Sequence, residues 1–190
     1  MKKGEKKAEK TSEKKKKSIV REALSWIFYF VLICCAAYLV VNYVGERTEV
    51  RGESMYPALS DGDQLIVDMI SYRFTDPKRF DIVVFPFQYQ EDTYYIKRII
   101  GLPGETVQII DGVIYINGEV LEEAYGYEEI RNPGLAATEI TLGDQEYFVL
   151  GDNRNNSTDS REPSVGNITR DQILGKAILR FWPLSSFGLL

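Results

Sequence analysis

One stretch decides what this chain can become. From Trp26 to Val44 run nineteen residues without a charge, WIFYFVLICCAAYLVVNYV. As a helix the run spans roughly 28 Å, close to the hydrocarbon thickness of a bilayer. Trp26, Tyr29 and Tyr43 stand near its ends, where aromatic belts form. A cleaved leader fits poorly. The run is long for an h-region, and Gly45, Glu46 and Arg47 after it are not a small-residue cleavage site. The sequence therefore predicts an uncleaved transmembrane helix over 23–44, with a tail of residues 1–22 before it and a body of residues 45–190 after it.

Charge follows the same division. Residues 1–21 hold ten Lys/Arg and three Glu, whereas residues 45–190 hold thirteen basic and twenty-four acidic residues. The tail has the composition of a disordered segment, and its lysines predict that it stays in the cytoplasm. The body is then extracytoplasmic, on a single-pass protein of the cell membrane. Membrane lipid is an expected partner. Nucleic acid is not, because an acidic body repels phosphate.

Histidine is absent. This removes every Ser-His-Asp and Cys-His mechanism and argues against a zinc site. The two cysteines, Cys34 and Cys35, are adjacent inside the apolar run, so they offer neither a disulfide framework nor a metal cluster. No metal or cofactor is expected. A proton acceptor must be a carboxylate, a lysine, a tyrosine or the N-terminus.

The body reads as mostly β. Short β-prone runs cover 65–68, 81–85, 94–100 and 147–150, and a late run over 175–182 stops at Pro183. Asp111-Gly112 and Asn117-Gly118 each lie between apolar segments and predict two tight hairpins. Residues 122–143 are polar and turn-rich and read as a surface excursion. No long 3.6-residue period follows the apolar run.

Three segments carry chemistry: Gly52-Glu53-Ser54-Met55-Tyr56-Pro57, then Tyr95 to Gly104 (YIKRIIGLPG), then Gly151 to Arg161 (GDNRNNSTDSR). In an alternating strand Tyr95, Lys97 and Ile99 share one face. If that face is inward, the Lys97 ammonium is desolvated and becomes a base for a serine hydroxyl; otherwise it snorkels to water. Gly52 allows close backbone approach beside Ser54, and Pro57 stiffens the exit. Asp152-Asn153 suits an Asx turn, and Asp159 and Arg161 suit a bidentate pair. Asn-x-Ser/Thr triplets at Asn155, Asn156 and Asn167 read as coincidence in polar loops.

In order, the three segments resemble the motifs of the type I signal peptidase family, roughly S-M-x-P, K-R-x-x-G-x-P-G and G-D-N-R-x-x-S-x-D-S-R. The resemblance covers residues 25–185 and is weak over 105–143. It implies an antiparallel β-sheet catalytic domain with a smaller inserted β-region at about 105–143. It also implies a serine endopeptidase that removes signal peptides from exported precursors at the outer membrane face. Ser54 would be the nucleophile and Lys97 the general base. Ser157 would orient the lysine amine, and Gly52 would sit at the oxyanion hole. Asp152, Asn153, Arg154, Asp159, Ser160 and Arg161 would support the site, while Met55, Tyr95 and Ile96 would line the substrate pocket. The precursor would dock as an added strand.

Some family members carry a serine where this chain has Gly52, so the hole would rely here on backbone amides, including that of Ser54. Two other readings compete. A self-cleaving DNA-binding regulator needs a helix-turn-helix, and residues 1–45 offer only a lysine tail and an apolar span. A non-catalytic membrane-bound relative would be expected to lack Ser54 or Lys97, and both are present.

Overall fold

The computed structural model describes residues 21–22, 24–35, 45–90 and 92–190. The chain divides into two compact units, Met1–Val44 and Gly45–Leu190. In the first, residues 21–22 and 24–35 are helical. Among the described residues no helix is long and apolar enough to cross a membrane. Of the stretch 23–44 expected to form a transmembrane helix, residues 24–35 are described and are helical. Residues 1–20 of the predicted tail, with Ala23 and residues 36–44 of the predicted span, lie outside the described residues.

The second unit is antiparallel β. Its larger sheet runs β1 (Gly45–Glu49), β2 (Gln64–Asp68), β11 (Gly175–Trp182), β3 (Ile82–Pro86), β4 (Tyr94–Gly101), β9 (Glu146–Leu150) and β10 (Ile168–Thr169), with β12 (Gly188–Leu189) folded onto β11. A smaller sheet has the order β7 (Glu119–Val120), β6 (Val113–Ile116), β5 (Thr106–Ile110) and β8 (Ile140–Thr141). Strand β1 was not anticipated. It is polar and, among the described residues, pairs with β2 alone, so no apolar alternation marks it.

The two hairpin signals sit at the ends of β6. Asp111 and Gly112 have φ of 47° and 79°, and Asn117 and Gly118 have 52° and 80°. Two successive positive φ values match the right-handed twist of the flanking strands.

Packing places the future site. One core forms between the smaller sheet and β4–β9, with Val107, Ile109, Ile114 and Ile116 against Ile100, Phe148 and Leu150. A second gathers Val50, Met55, Leu59, Leu65, Val67 and Ile96. A third lies on the other side of β3 and β4, around Val83, Phe85, Ile99 and Val149. Strand β4 is therefore buried on both faces from Ile96 to Gly101. Its edge is only half covered, because β9 pairs with Arg98–Gly101 alone. The Tyr94–Lys97 half of that edge has no strand neighbour among the described residues.

Residues 122–143 are less of a surface excursion than their polarity suggested. Most are exposed, but Ile130, Ala136 and Leu142 belong to the first core. Three apolar anchors in a polar segment are too sparse to show a period.

Gly101 marks where the sheets meet. A Cβ there would lie 2.6 Å from Val107 Cγ2 and 2.7 Å from Leu142 Cδ1. Gly101→Ala is expected to destabilise the folded chain by roughly 1–3 kcal/mol through overpacking, read as a lower midpoint in thermal unfolding of the full chain in detergent.

Candidate active site

Ser54 lies in a turn-rich loop between β1 and β2. Its neighbour Met55 is 1% exposed and sinks into the second core, which pins the loop from below. Gly52, at φ +84°, bends the chain before the serine, and its N–H donates to Asp61 Oδ1 at 2.6 Å. Two further bonds fix the loop from the side. Asn153 N–H donates to Ser54 O at 3.0 Å, and Asn153 Nδ2 donates to Glu53 O at 3.1 Å. The third motif thus holds the first by its carbonyls and leaves the hydroxyl free.

Lys97 Nζ lies 2.8 Å from Ser54 Oγ. The amine also donates to Ile96 O at 3.0 Å and lies 5.0 Å from the centre of the Tyr95 ring. Lys97 is 4% exposed. Burial pulls its pKa down to about 8, against an upward pull from Asp159 and Asp152.

Each of those aspartates is held by an arginine. Arg161 forks onto Asp159 through Nε and Nη2, both at 2.8 Å. Arg98 forks onto Asp152 at 2.8 and 2.6 Å. All four side chains are buried. A fork of this kind satisfies a buried carboxylate and offsets its charge. The negative field reaching the lysine is thereby reduced.

The rest of the third motif is similarly tied. Asp159 Oδ2 also accepts from Gly151 N–H at 3.0 Å. Arg154 donates to Gly151 O at 3.1 Å and pairs with Glu123 at 2.5 Å. Arg161 Nη2 reaches Arg154 O at 2.5 Å. Ser160 Oγ accepts from Val149 N–H at 2.9 Å, which joins the loop to β9.

Ser157 departs from expectation. Its Oγ is buried with no hydrogen-bond partner among the described residues, and the expected bond to the Lys97 amine is not formed. Instead Ser157 packs over Gly151. A Cβ on Gly151 would lie 2.3 Å from Ser157 Oγ and 2.4 Å from Ser54 O. Only a glycine lets the two motifs approach this closely.

Ser54 and Lys97 open into a cleft of about 940 Å³. One wall is Glu46–Met55, the other Thr93–Lys97, and Asn156–Thr158 close an end. Tyr95 is half-buried, stacked on Phe87 with ring centres 4.6 Å apart. Met55 and Ile96 touch the cleft but spend most of their surface in the core.

Sequence reasoning gave no role to Arg98, Glu123 or Tyr125. The Tyr125 ring covers the Arg98 guanidinium at 3.8 Å. Arg98 was visible in the K-R pair, but its partner lies 54 residues away. Nothing in the sequence sets Glu123 apart from the acids around it.

Chemically, the arrangement pairs a hydroxyl with a buried amine poised near neutrality. Residues 23–182 match the family described as signal peptidase, peptidase S26. The chain is 37% identical over 181 residues to a signal peptidase I of Bacillus amyloliquefaciens, covering 92% of this chain and 96% of that one. It is 42% identical over 154 residues to a probable signal peptidase I-2 of Synechocystis sp., covering 78% of this chain and 68% of the other. A crystal structure of a signal peptidase I from Enterococcus faecalis V583 aligns with a TM-score of 0.45 at 36% identity, over 54% of this chain and 97% of that one. With a family match that spans most of its length, this chain belongs to the S26 signal peptidases.

Proposed function

We propose that this chain cleaves N-terminal signal peptides from exported precursors, as a serine endopeptidase with Ser54 as nucleophile and Lys97 as general base. The carrying observation is the 2.8 Å approach of a buried amine to the Ser54 hydroxyl. In this reading neutral Lys97 takes the hydroxyl proton while Ser54 Oγ bonds to the scissile carbonyl carbon. Backbone amides, that of Ser54 among them, stabilise the oxyanion. The lysine proton then passes to the departing amine as the peptide bond breaks. Water, deprotonated by the same amine, releases the acyl group.

The precursor docks along the uncovered Tyr94–Lys97 edge of β4 and takes up main-chain bonds that β9 makes further along. Tyr95, with the cleft-facing atoms of Met55 and Ile96, bounds the space for small side chains before the cut. The uncharged run after a lysine-rich tail supports a single span, with the tail in the cytoplasm and the peptidase unit outside.

Lys97→Met and Ser54→Ala in the full chain should each lower cleavage of a precursor by about 10²–10⁴-fold. A Lys97→Met enzyme that cleaves at the wild-type rate would remove the proposed base. With the lysine pKa near 8, the neutral fraction, and with it kcat/KM, rises about tenfold from pH 7 to pH 9. A flat profile over that window would count against Lys97 as the base.

The same shift has a stability sign. Below pH 8 folded and unfolded chains both hold the proton, and the full burial cost of the ammonium is present. Between about 8 and 10.5 the folded chain sheds it first, and the cost fades as pH rises. The cost amounts to about 3 kcal/mol. Lys97→Met should therefore unfold at a higher temperature than wild type at pH 7, and at the same or a lower one at pH 10.5. Gly151→Ala should fold but cleave poorly, since its Cβ would push Ser157 and the Ser54 carbonyl apart. Near-normal cleavage by that variant would show that the two motifs tolerate separation.

A further inference from the structure

Tyr56 and Tyr127 are unexplained by packing. Tyr56 is 39% exposed and Tyr127 is 50% exposed. Their rings meet edge to face, with centres 5.0 Å apart at 83°. Neither lines the cleft that runs from Ser54 past Tyr95 toward Gln90. Both are nevertheless held by the machinery of the site. Tyr56 is two residues beyond Ser54, and its N–H donates to Glu53 O at 3.1 Å. Tyr127 N–H donates to Asp152 O at 2.9 Å, one residue from the Asn153 that clamps the nucleophile loop.

The direction of the substrate gives the pair a task. If the residues before the cut lie along Tyr94–Lys97, the chain after the cut leaves past Ser54, away from the cleft. On that side the loop offers Tyr56, because Met55 between them is buried. We infer that Tyr56 and Tyr127 form a shelf for the first side chain of the released protein. An edge-to-face pair keeps open ring faces, and such faces favour an aromatic or aliphatic side chain over a small one. The inference rests on the proposed peptidase reading. It adds a selectivity at the position after the cut, which the cleft walls do not reach.

The test uses the full chain in detergent and lipid, with two precursor peptides identical through Ala-x-Ala and differing only in the next residue, Phe or Ala. Wild type should favour the Phe peptide by about fivefold in kcat/KM. Tyr127→Ala should abolish that ratio, and Tyr127→Phe should retain it. The preference for Ala over Leu at the residue before the cut should stay unchanged in both variants. A Phe-to-Ala ratio unaltered in Tyr127→Ala would overturn the shelf, as would an equal loss on both peptides. Equal cleavage of the two peptides by wild type would also sink the shelf while leaving the peptidase reading intact. Cleavage of neither would remove both.

Discussion

An ammonium in a dry site is the constraint around which this unit is arranged. Without histidine, the strong base that the described residues bring to Ser54 is an amine, and an amine is useful only when uncharged near neutral pH. Burial at β4 lowers its pKa. Two buried carboxylates nearby oppose that shift. Removing them would lower the pKa further, but Asp159 also holds the Gly151 amide, and both anchor buried arginines. The chain keeps them and meets each with an arginine fork. The ion pairs thus serve geometry first and electrostatics second.

This explains why so much of the third motif points away from the reacting atoms. Asn153 grips main-chain carbonyls, Ser160 caps a β9 amide, and Arg154 and Arg161 bind loop carbonyls. Each gives a backbone group a fixed partner within the protein. The nucleophile loop has no regular secondary structure. Its position comes from Met55 below and from Asn153 at its side.

The β character of the body, the two hairpins and the central strand with Lys97 were legible in the sequence. Alternation and turn chemistry act locally, and the Asn-Gly and Asp-Gly pairs nearly dictate their turns. The serine, the lysine and the third motif were legible as an ordered set. Their contacts were less so. Asp159 and Arg161 are two residues apart, so their pairing was readable, whereas Arg98 and Asp152 meet only because β4 and β9 are neighbours. Strand β1 escaped because Gly-Glu-Arg-Thr-Glu carries no apolar face. The segment at 122–143 misled because its anchors, Ile130, Ala136 and Leu142, are spaced by tertiary packing and not by a repeat.

The alternation of β4 carries one more consequence. Lys97 and Arg98 are consecutive, so their side chains leave the strand on opposite faces, one toward Ser54 and the other toward Asp152. A slip of the strand by one residue that brought Arg98 opposite Ser54 would leave Ile99 beside Asp152. The buried Asp152 carboxylate would then lose its arginine fork. A guanidinium, moreover, does not give up its proton at any pH the cell offers, so such a misregistered molecule would be inert. The irregularity in the β4–β9 ladder between Ile99 and Gly101, wedged by side chains that exclude any Cβ at Gly101, acts as the notch that fixes which of two adjacent cations faces the alcohol.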